Sequence, residues 1–249
     1  MDLDLRRVVV LTGPYGSGKT ELAIGLALGT IERAKREGQQ LRVALADIDV
    51  LKPYFRSREA KDQLREAGIA VIAPPGGLAN SDLPIMAAEL RGTIPREDVT
   101  LFLDVGGDPV GARALGSISD VVQAAAHELL LVLNRYRPFM DSCEQVLETA
   151  RQIEQASHLA ITGVISNTHM LEATTLQDVL WGLELSREVA SALGVPIRMV
   201  GVPEDLDQDL QMKPTSDMPP VLRVRRFMKP GFLGGVVLAP AAESARPQS

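Results

Sequence analysis

Apolar runs of strand length alternate along the chain with longer segments whose apolar residues recur at helical spacing. The strand-type runs are Arg7–Thr12, Arg42–Ile48, Ala70–Ala73, Thr100–Val105, Leu129–Asn134, Ala160–Ser166 and Ile197–Val202. They are continuous rather than alternating, the pattern of strands covered on both faces. Three helical segments have readable ends. Lys19–Glu37 closes at Gly38, a residue suited to a helix terminus. Asp141–Ala156 opens with Asp141 and Glu144 at capping-box spacing. Thr174–Leu193 opens at Thr174 or Thr175 and stops at Gly194, ahead of Pro196. Repeated strand–helix units predict an α/β fold, a mostly parallel doubly wound sheet of about seven strands with helices on both faces. Asp205–Pro220 is polar and contains prolines, so it reads as a loop leaving the core. Ala239–Ser249 is rich in Ala, Pro and Ser and reads as disordered. The expectation is one domain over residues 1–228 and a tail over 229–249.

Composition narrows the partners. The chain has 249 residues, 45% of them hydrophobic, enough for a full core. A net charge of −6 argues against nucleic acid, whose phosphates select basic surfaces. Cys143 is the single cysteine, which excludes an intrachain disulfide and points to a reducing compartment. No run approaches the length of a membrane span, and the N-terminal apolar run is too short for a signal peptide. The basic stretch VLRVRRFMKPGF is broken by Pro230 and Gly231, so it reads as a terminal strand with a solvated basic side, not a membrane helix. The expected location is cytoplasmic.

The chemistry concentrates in LTGPYGSGKTELA, Leu11 to Ala23. Gly13-x-x-x-x-Gly18-Lys19-Thr20 fits the P-loop pattern, lies after a strand run and opens a helical one. Glycines let successive backbone N–H groups turn inward to a phosphate, and the following helix adds its N-terminal dipole. Lys19 would reach the β/γ oxygens and Thr20 would give a hydroxyl to Mg²⁺. Asp47 and Asp49 alternate at the end of the second strand, so they leave the sheet edge together. Asp104 follows four apolar residues, as a Walker B aspartate does, and Gly107 three residues on would let a backbone N–H approach the γ-phosphate. Guanine-reading P-loop proteins carry Asn-Lys-x-Asp. The two candidate strand ends here, Asn134-Arg135-Tyr136-Arg137 and Asn167-Thr168-His169-Met170, lack the aspartate, so ATP is expected over GTP. Asn167 would bond adenine and Pro203 would give backbone contacts beneath the ring.

GPYGSGKT, ADID, FLDVGG, GVISN and GVPED, in that order over residues 6–206, resemble the MinD/ParA/Mrp-type (SIMIBI) P-loop ATPases. DIDVLKPYFRSRE and LDVGGDPVGARALG further resemble a group of stand-alone CobQ/CobB/MinD/ParA-like nucleotide-binding proteins. The resemblance implies that Asp49 orients the attacking water, that Asp47 and Asp104 serve the metal and that Gly107 senses γ-phosphate. The signature loop of MinD-like proteins has a lysine where this chain has Pro14 and a glycine where it has Tyr15. That lysine reaches a partner's nucleotide across a dimer, so its replacement puts the homodimer in question. Arg56 or Arg58 would supply the missing charge. No Cys-x-x-Cys occurs, which excludes an iron–sulfur scaffold, and His127, His158 and His169 are scattered.

The expected site comprises Lys19 and Asp49 as catalytic residues and Thr20, Asp47 and Asp104 at the metal. Nucleotide contacts would come from Gly13, Tyr15, Gly16, Ser17, Gly18, Lys19, Thr20, Glu21, Gly107, Asn167 and Pro203. With ATP and Mg²⁺ as cofactors, the leading function is a slow ATPase whose nucleotide state regulates or assembles a protein partner. One alternative is a small-molecule kinase or ATP-dependent ligase, with Pro74–Pro84 or Arg56 and Arg58 lining an acceptor site. Another is a nucleotide-binding interaction module with little hydrolysis. Asp108 is the alternative to Asp49 for positioning water.

Overall fold

Residues that place Val, Ile and Leu on successive positions can extend only where both faces of the strand are covered. The computed structural model describes residues 4–48, 58–73, 79–206 and 218–227, with 58–60 and 79–83 by backbone alone. Its strands are β1 (Val8–Thr12), β2 (Arg42–Asp47), β3 (Ile69–Ile72), β4 (Val99–Asp104), β5 (His127–Leu133), β6 (Gly163–Ser166), β7 (Ile197–Pro203) and β8 (Val221–Val224). They form one sheet in the order β3-β2-β4-β1-β5-β6-β7-β8. Every neighbouring pair is parallel. The eighth strand is the basic stretch after Pro220, paired to β7 from Val200↔Val221 to Pro203↔Val224.

The helices are α1 (Lys19–Arg36), α2 (Arg58–Glu66), α3 (Ala79–Thr93), α4 (Pro109–Gly116), α5 (Ser119–Ala124), α6 (Cys143–Ser157) and α7 (Leu176–Leu193). Alternate residues of β1 feed two separate cores. Val8 and Val10 pack toward α3 to α7, while Val9 and Leu11 pack toward α1 and α2. The result is the layered α/β arrangement of a P-loop nucleoside-triphosphatase fold.

Helix ends follow local chemistry with one correction. Thr175 caps α7 and Asp178 returns the bond, completing a capping box, and Gly194 ends the helix at φ 68°. In α6 the cap is Ser142, not Asp141. Its hydroxyl accepts from Gln145 N, and its extended backbone is the half-in residue that a cap requires. The stretch proposed as an acceptor lining divides: 74–78 lie outside the described residues, and from Ala79 the chain is helical. The expected tail, 229–249, and most of the loop before Pro220 also lie outside them.

The topology places the site. From β1 the chain crosses beyond β4 to β2, returns through β4, and then continues on the other side through β5. Crevices therefore open on both sides of β1 at the C-terminal strand ends, where parallel sheets hold ligands.

Packing of α7 on β6 rests on Gly182. A Cβ there would lie 2.0 Å from Thr168 Oγ1 and 2.3 Å from Thr168 Cβ. Thr168 is buried, and its hydroxyl accepts from Arg135 N at 3.0 Å. Gly182→Ala should therefore push Thr168 off that bond and destabilise the fold by about 1–3 kcal/mol, the usual scale of overpacking. Urea denaturation checks this as a lower midpoint with an unchanged slope.

Candidate functional site

The loop between β1 and α1 is shaped by glycines that nothing else could replace. Gly13 (φ 142°), Gly16 (φ 76°) and Gly18 (φ 89°) all take conformations that disfavour a side chain. A Cβ on Gly13 would stand 2.4 Å from Val132 O. Gly18 sits at the N-cap of α1 without a side-chain cap bond, so the helix start is open to an anion. Pro14 O accepts from both Ser17 N (3.2 Å) and Lys19 Nζ (3.1 Å). A backbone carbonyl thus takes the two donors that a phosphate oxygen would take. Lys19 is buried.

On the β4 flank the site is built of oxygen. Thr20 Oγ1 donates to Asp104 Oδ2 at 2.5 Å. Asp47 and Asp104 stand opposite each other across β2 and β4, and each is 1% exposed. Two buried carboxylates and a hydroxyl are hard donors suited to Mg²⁺, which takes one or two carboxylates and completes its shell with water and phosphate. Among the described residues no group of three or more His, Cys, Asp or Glu forms a metal cluster. The loop after β4 lies directly on the P-loop, since a Cβ on Gly107 would stand 2.1 Å from Gly13 O. Asp108 caps α4, accepting from Val110 N at 2.8 Å and Gly111 N at 3.1 Å.

On the β5 flank the site is built of nitrogen. Asn134 Nδ2 donates to Gly16 O at 3.3 Å and to His169 O at 3.2 Å. Arg137 Nε donates to the same Gly16 O at 2.8 Å. Asn167 Nδ2 donates to Ser17 O at 2.7 Å. Neither Asn134 nor Arg137 was expected to touch the loop, and their only sequence signal is an asparagine at a strand end. His169 closes this side, its Nε2 3.3 Å from where a Gly18 Cβ would be.

The sequence-derived site divides between these flanks. Gly13, Gly16, Ser17, Gly18, Lys19, Thr20, Asp47, Asp104, Gly107 and Asn167 converge on the loop. Tyr15 is 60% exposed at the loop's outer side. Glu21 accepts from Phe227 N at 2.8 Å, so its carboxylate faces the segment after β8. Pro203 is the last residue of β7, beyond β6 from the loop. Asp49 and Arg56 lie outside the described residues, as does the side chain of Arg58.

No protein-family profile matches the chain, and no curated protein sequence matches it. Solved structures do. The cell division protein FtsY of Thermotoga maritima matches with a TM-score of 0.53 at 23% identity, over 82% of this chain and 66% of that one. FtsY of Mycoplasma mycoides matches with a TM-score of 0.50 at 18% identity, over 82% of this chain and 62% of that one. The signal recognition particle 54 kDa protein of Aeropyrum pernix, in complex with GDP, matches with a TM-score of 0.50 at 19% identity, over 80% and 42%. The chain thus spans less than two thirds of the length of each, and what is shared is the fold.

These matches overturn the resemblance to CobQ/CobB/MinD/ParA-type ATPases. The reading of ATP as cofactor goes with it, and so do the ATPase, kinase and ligase readings, since the nucleotide held in the Aeropyrum structure is GDP. The physical reason lies in the two asparagine stretches. Their amide nitrogens are committed to P-loop carbonyls. An aspartate missing from stretches that hold the loop does not select adenine.

His169 gives the site a pH signature. Its pKa is pushed down to about 4, chiefly by burial and then by the Arg137 and Arg226 guanidinium groups. Unfolding returns it to its ordinary 6.5, so the unfolded chain binds a proton that the folded chain refuses between those values. The stability tied to neutral His169 is complete above pH 6.5 and is lost as the pH falls toward 4. The loss is on the order of 3 kcal/mol. Denaturation of His169→Asn across that range should show a shallower acid slope than the parent chain.

Proposed function

We propose that the chain is a Mg²⁺-dependent guanine-nucleotide-binding protein that hydrolyses GTP. The observation that carries this is the loop itself: three glycines at positive φ, a buried Lys19 and a Thr20 hydroxyl bonded to a buried Asp104. The GDP held by the fold-related Aeropyrum protein supports guanine as the base.

In this reading Lys19 exchanges the Pro14 carbonyl for the β/γ oxygens, and the loop N–H groups take the β-phosphate. Thr20 and Asp104, with Asp47 beside them, hold the metal. Magnesium, when bound, neutralises charge on the β- and γ-phosphates. Gly107 N–H meets the γ-phosphate, and Asp49 orients the attacking water. Because the Gly107 loop leads directly into α4, presence or loss of γ-phosphate alters the surface offered to a protein partner.

Calorimetry with GDP and GTP tests the reading. Lys19→Ala should weaken binding at least tenfold, about 1.4 kcal/mol. GDP should outcompete ADP in the parent chain. Unchanged affinity in Lys19→Ala, or no binding by the parent chain, would sink the assignment. The metal role has its own check: Asp104→Asn should remove the gain in GTP affinity that Mg²⁺ brings.

Asp49→Asn separates binding from turnover. A carboxylate that orients water acts mainly in the transition state. Its loss should leave GTP affinity within a few-fold and lower single-turnover hydrolysis by about 10²-fold. Hydrolysis at the parent rate would remove Asp49 from the mechanism.

A further inference from the structure

Three consecutive side chains after β5 go different ways. Arg135 lies over the Trp181 ring at 4.2 Å and donates to Trp181 O at 2.8 Å, so it is held by α7. Tyr136 donates to Asp178 and packs on Trp181, also on α7. Arg137 turns to the P-loop. Its backbone is set by a tight turn, Arg137 N to Asn134 O at 2.9 Å. Its Nε donates to Gly16 O, and its guanidinium carbon lies 2.8 Å from where a Gly16 Cβ would be. Gly16 thus has no side chain at the point where the guanidinium plane meets the loop. Among the described residues no carboxylate is paired with Arg137.

The two flanks of β1 decide which end of a ligand this plane meets. The Thr20, Asp47, Asp104 and Gly107 flank is the one fitted to metal and terminal phosphate. A nucleotide whose β-phosphate sits in the loop with its terminal phosphate on that flank must leave the loop on the opposite side. That side is lined by Arg137 and His169. Nothing in a phosphate chain needs a flat cation there, whereas a purine and its ribose do. A guanidinium stacks on aromatic faces and keeps its remaining N–H groups in plane for oxygen acceptors. We propose, resting on the nucleotide-binding reading above, that Arg137 is a nucleoside-contact residue. Its guanidinium, anchored on the Gly16 carbonyl, packs against the nucleoside half of the bound nucleotide.

The test compares ligands that share phosphates and differ in the nucleoside. Affinities of GDP and of inorganic pyrophosphate, each with Mg²⁺, are measured for the parent chain, Arg137→Ala, Arg137→Lys and Lys19→Ala, with thermal melting to check folding. Arg137→Ala should weaken GDP about tenfold and leave pyrophosphate within twofold. Arg137→Lys keeps the charge and loses the plane, and should stay within threefold of Arg137→Ala for GDP. Equal losses for both ligands would assign Arg137 to the loop or the phosphates and overturn the proposal. So would unchanged GDP affinity, or full recovery by lysine. Lys19→Ala reports on the underlying reading instead: it should lose both ligands whatever Arg137 does.

Discussion

A peptide unit is planar, so a carbonyl drawn to one side sends the N–H of the same unit to the other. The P-loop depends on that constraint. The carbonyls of Gly16 and Ser17 are taken by side chains from β5 and β6: Asn134 and Arg137 on the first, Asn167 on the second. Each of these acceptors is a backbone group that would otherwise need a partner of its own. Holding them outward turns the next N–H groups toward the loop interior. There Ser17 N and Lys19 Nζ already converge on one oxygen, the Pro14 carbonyl. The loop is thus an anion receptor whose geometry is fixed from outside and whose donors are occupied from within. Ligand binding then needs an exchange of acceptors, with little refolding of the backbone.

The fold was largely legible because its signals are local. Buried parallel strands need unbroken apolar runs, and these stand out in any window of the sequence. Helix ends were legible where a single residue type is required, as at Gly38 (φ 67°) and Gly194 (φ 68°). They were misread where neighbours compete: Asp141 and Ser142 can both cap, and only the backbone direction decides for Ser142. Short helices such as α4 and α5 escaped because their few turns carry too little periodicity to separate from loops. Strand order is not local at all. The opposition of Asp47 and Asp104 depends on β4 returning between β2 and β1, which no spacing records.

The site divides in the same way. Gly13, Gly16, Gly18, Lys19 and Thr20 lie within eight consecutive residues, and their chemistry shows as a pattern. The Arg137 contact spans 121 residues and the Asn167 contact 150, and neither leaves a pattern. The base reading failed for a related reason. It treated an asparagine at a strand end as facing the ligand, when the same amide can face the loop. Only the side chain's direction separates the two, and that direction comes from the sheet.

The polarity of the two flanks also dictates how ligand and metal must arrive. Asp47 and Asp104 are buried side by side where a terminal phosphate would sit. Like charges about 4 Å apart repel by roughly 1 kcal/mol in water and several times that at the lower effective dielectric of a protein site. A triphosphate without a cation would meet that repulsion directly, while Lys19 attracts it from the other side. A diphosphate, which stops short of the carboxylates, meets less of it. Binding of the longer nucleotide should therefore be more tightly coupled to the metal than binding of the shorter one. Loss of the terminal phosphate would then loosen the cation as well. The carboxylate flank, and the Gly107 loop that rests against it, is consequently the part of the site that responds to which nucleotide is bound. The nitrogen-lined flank has no such asymmetry, because its donors are fixed to the loop and stay there in either state.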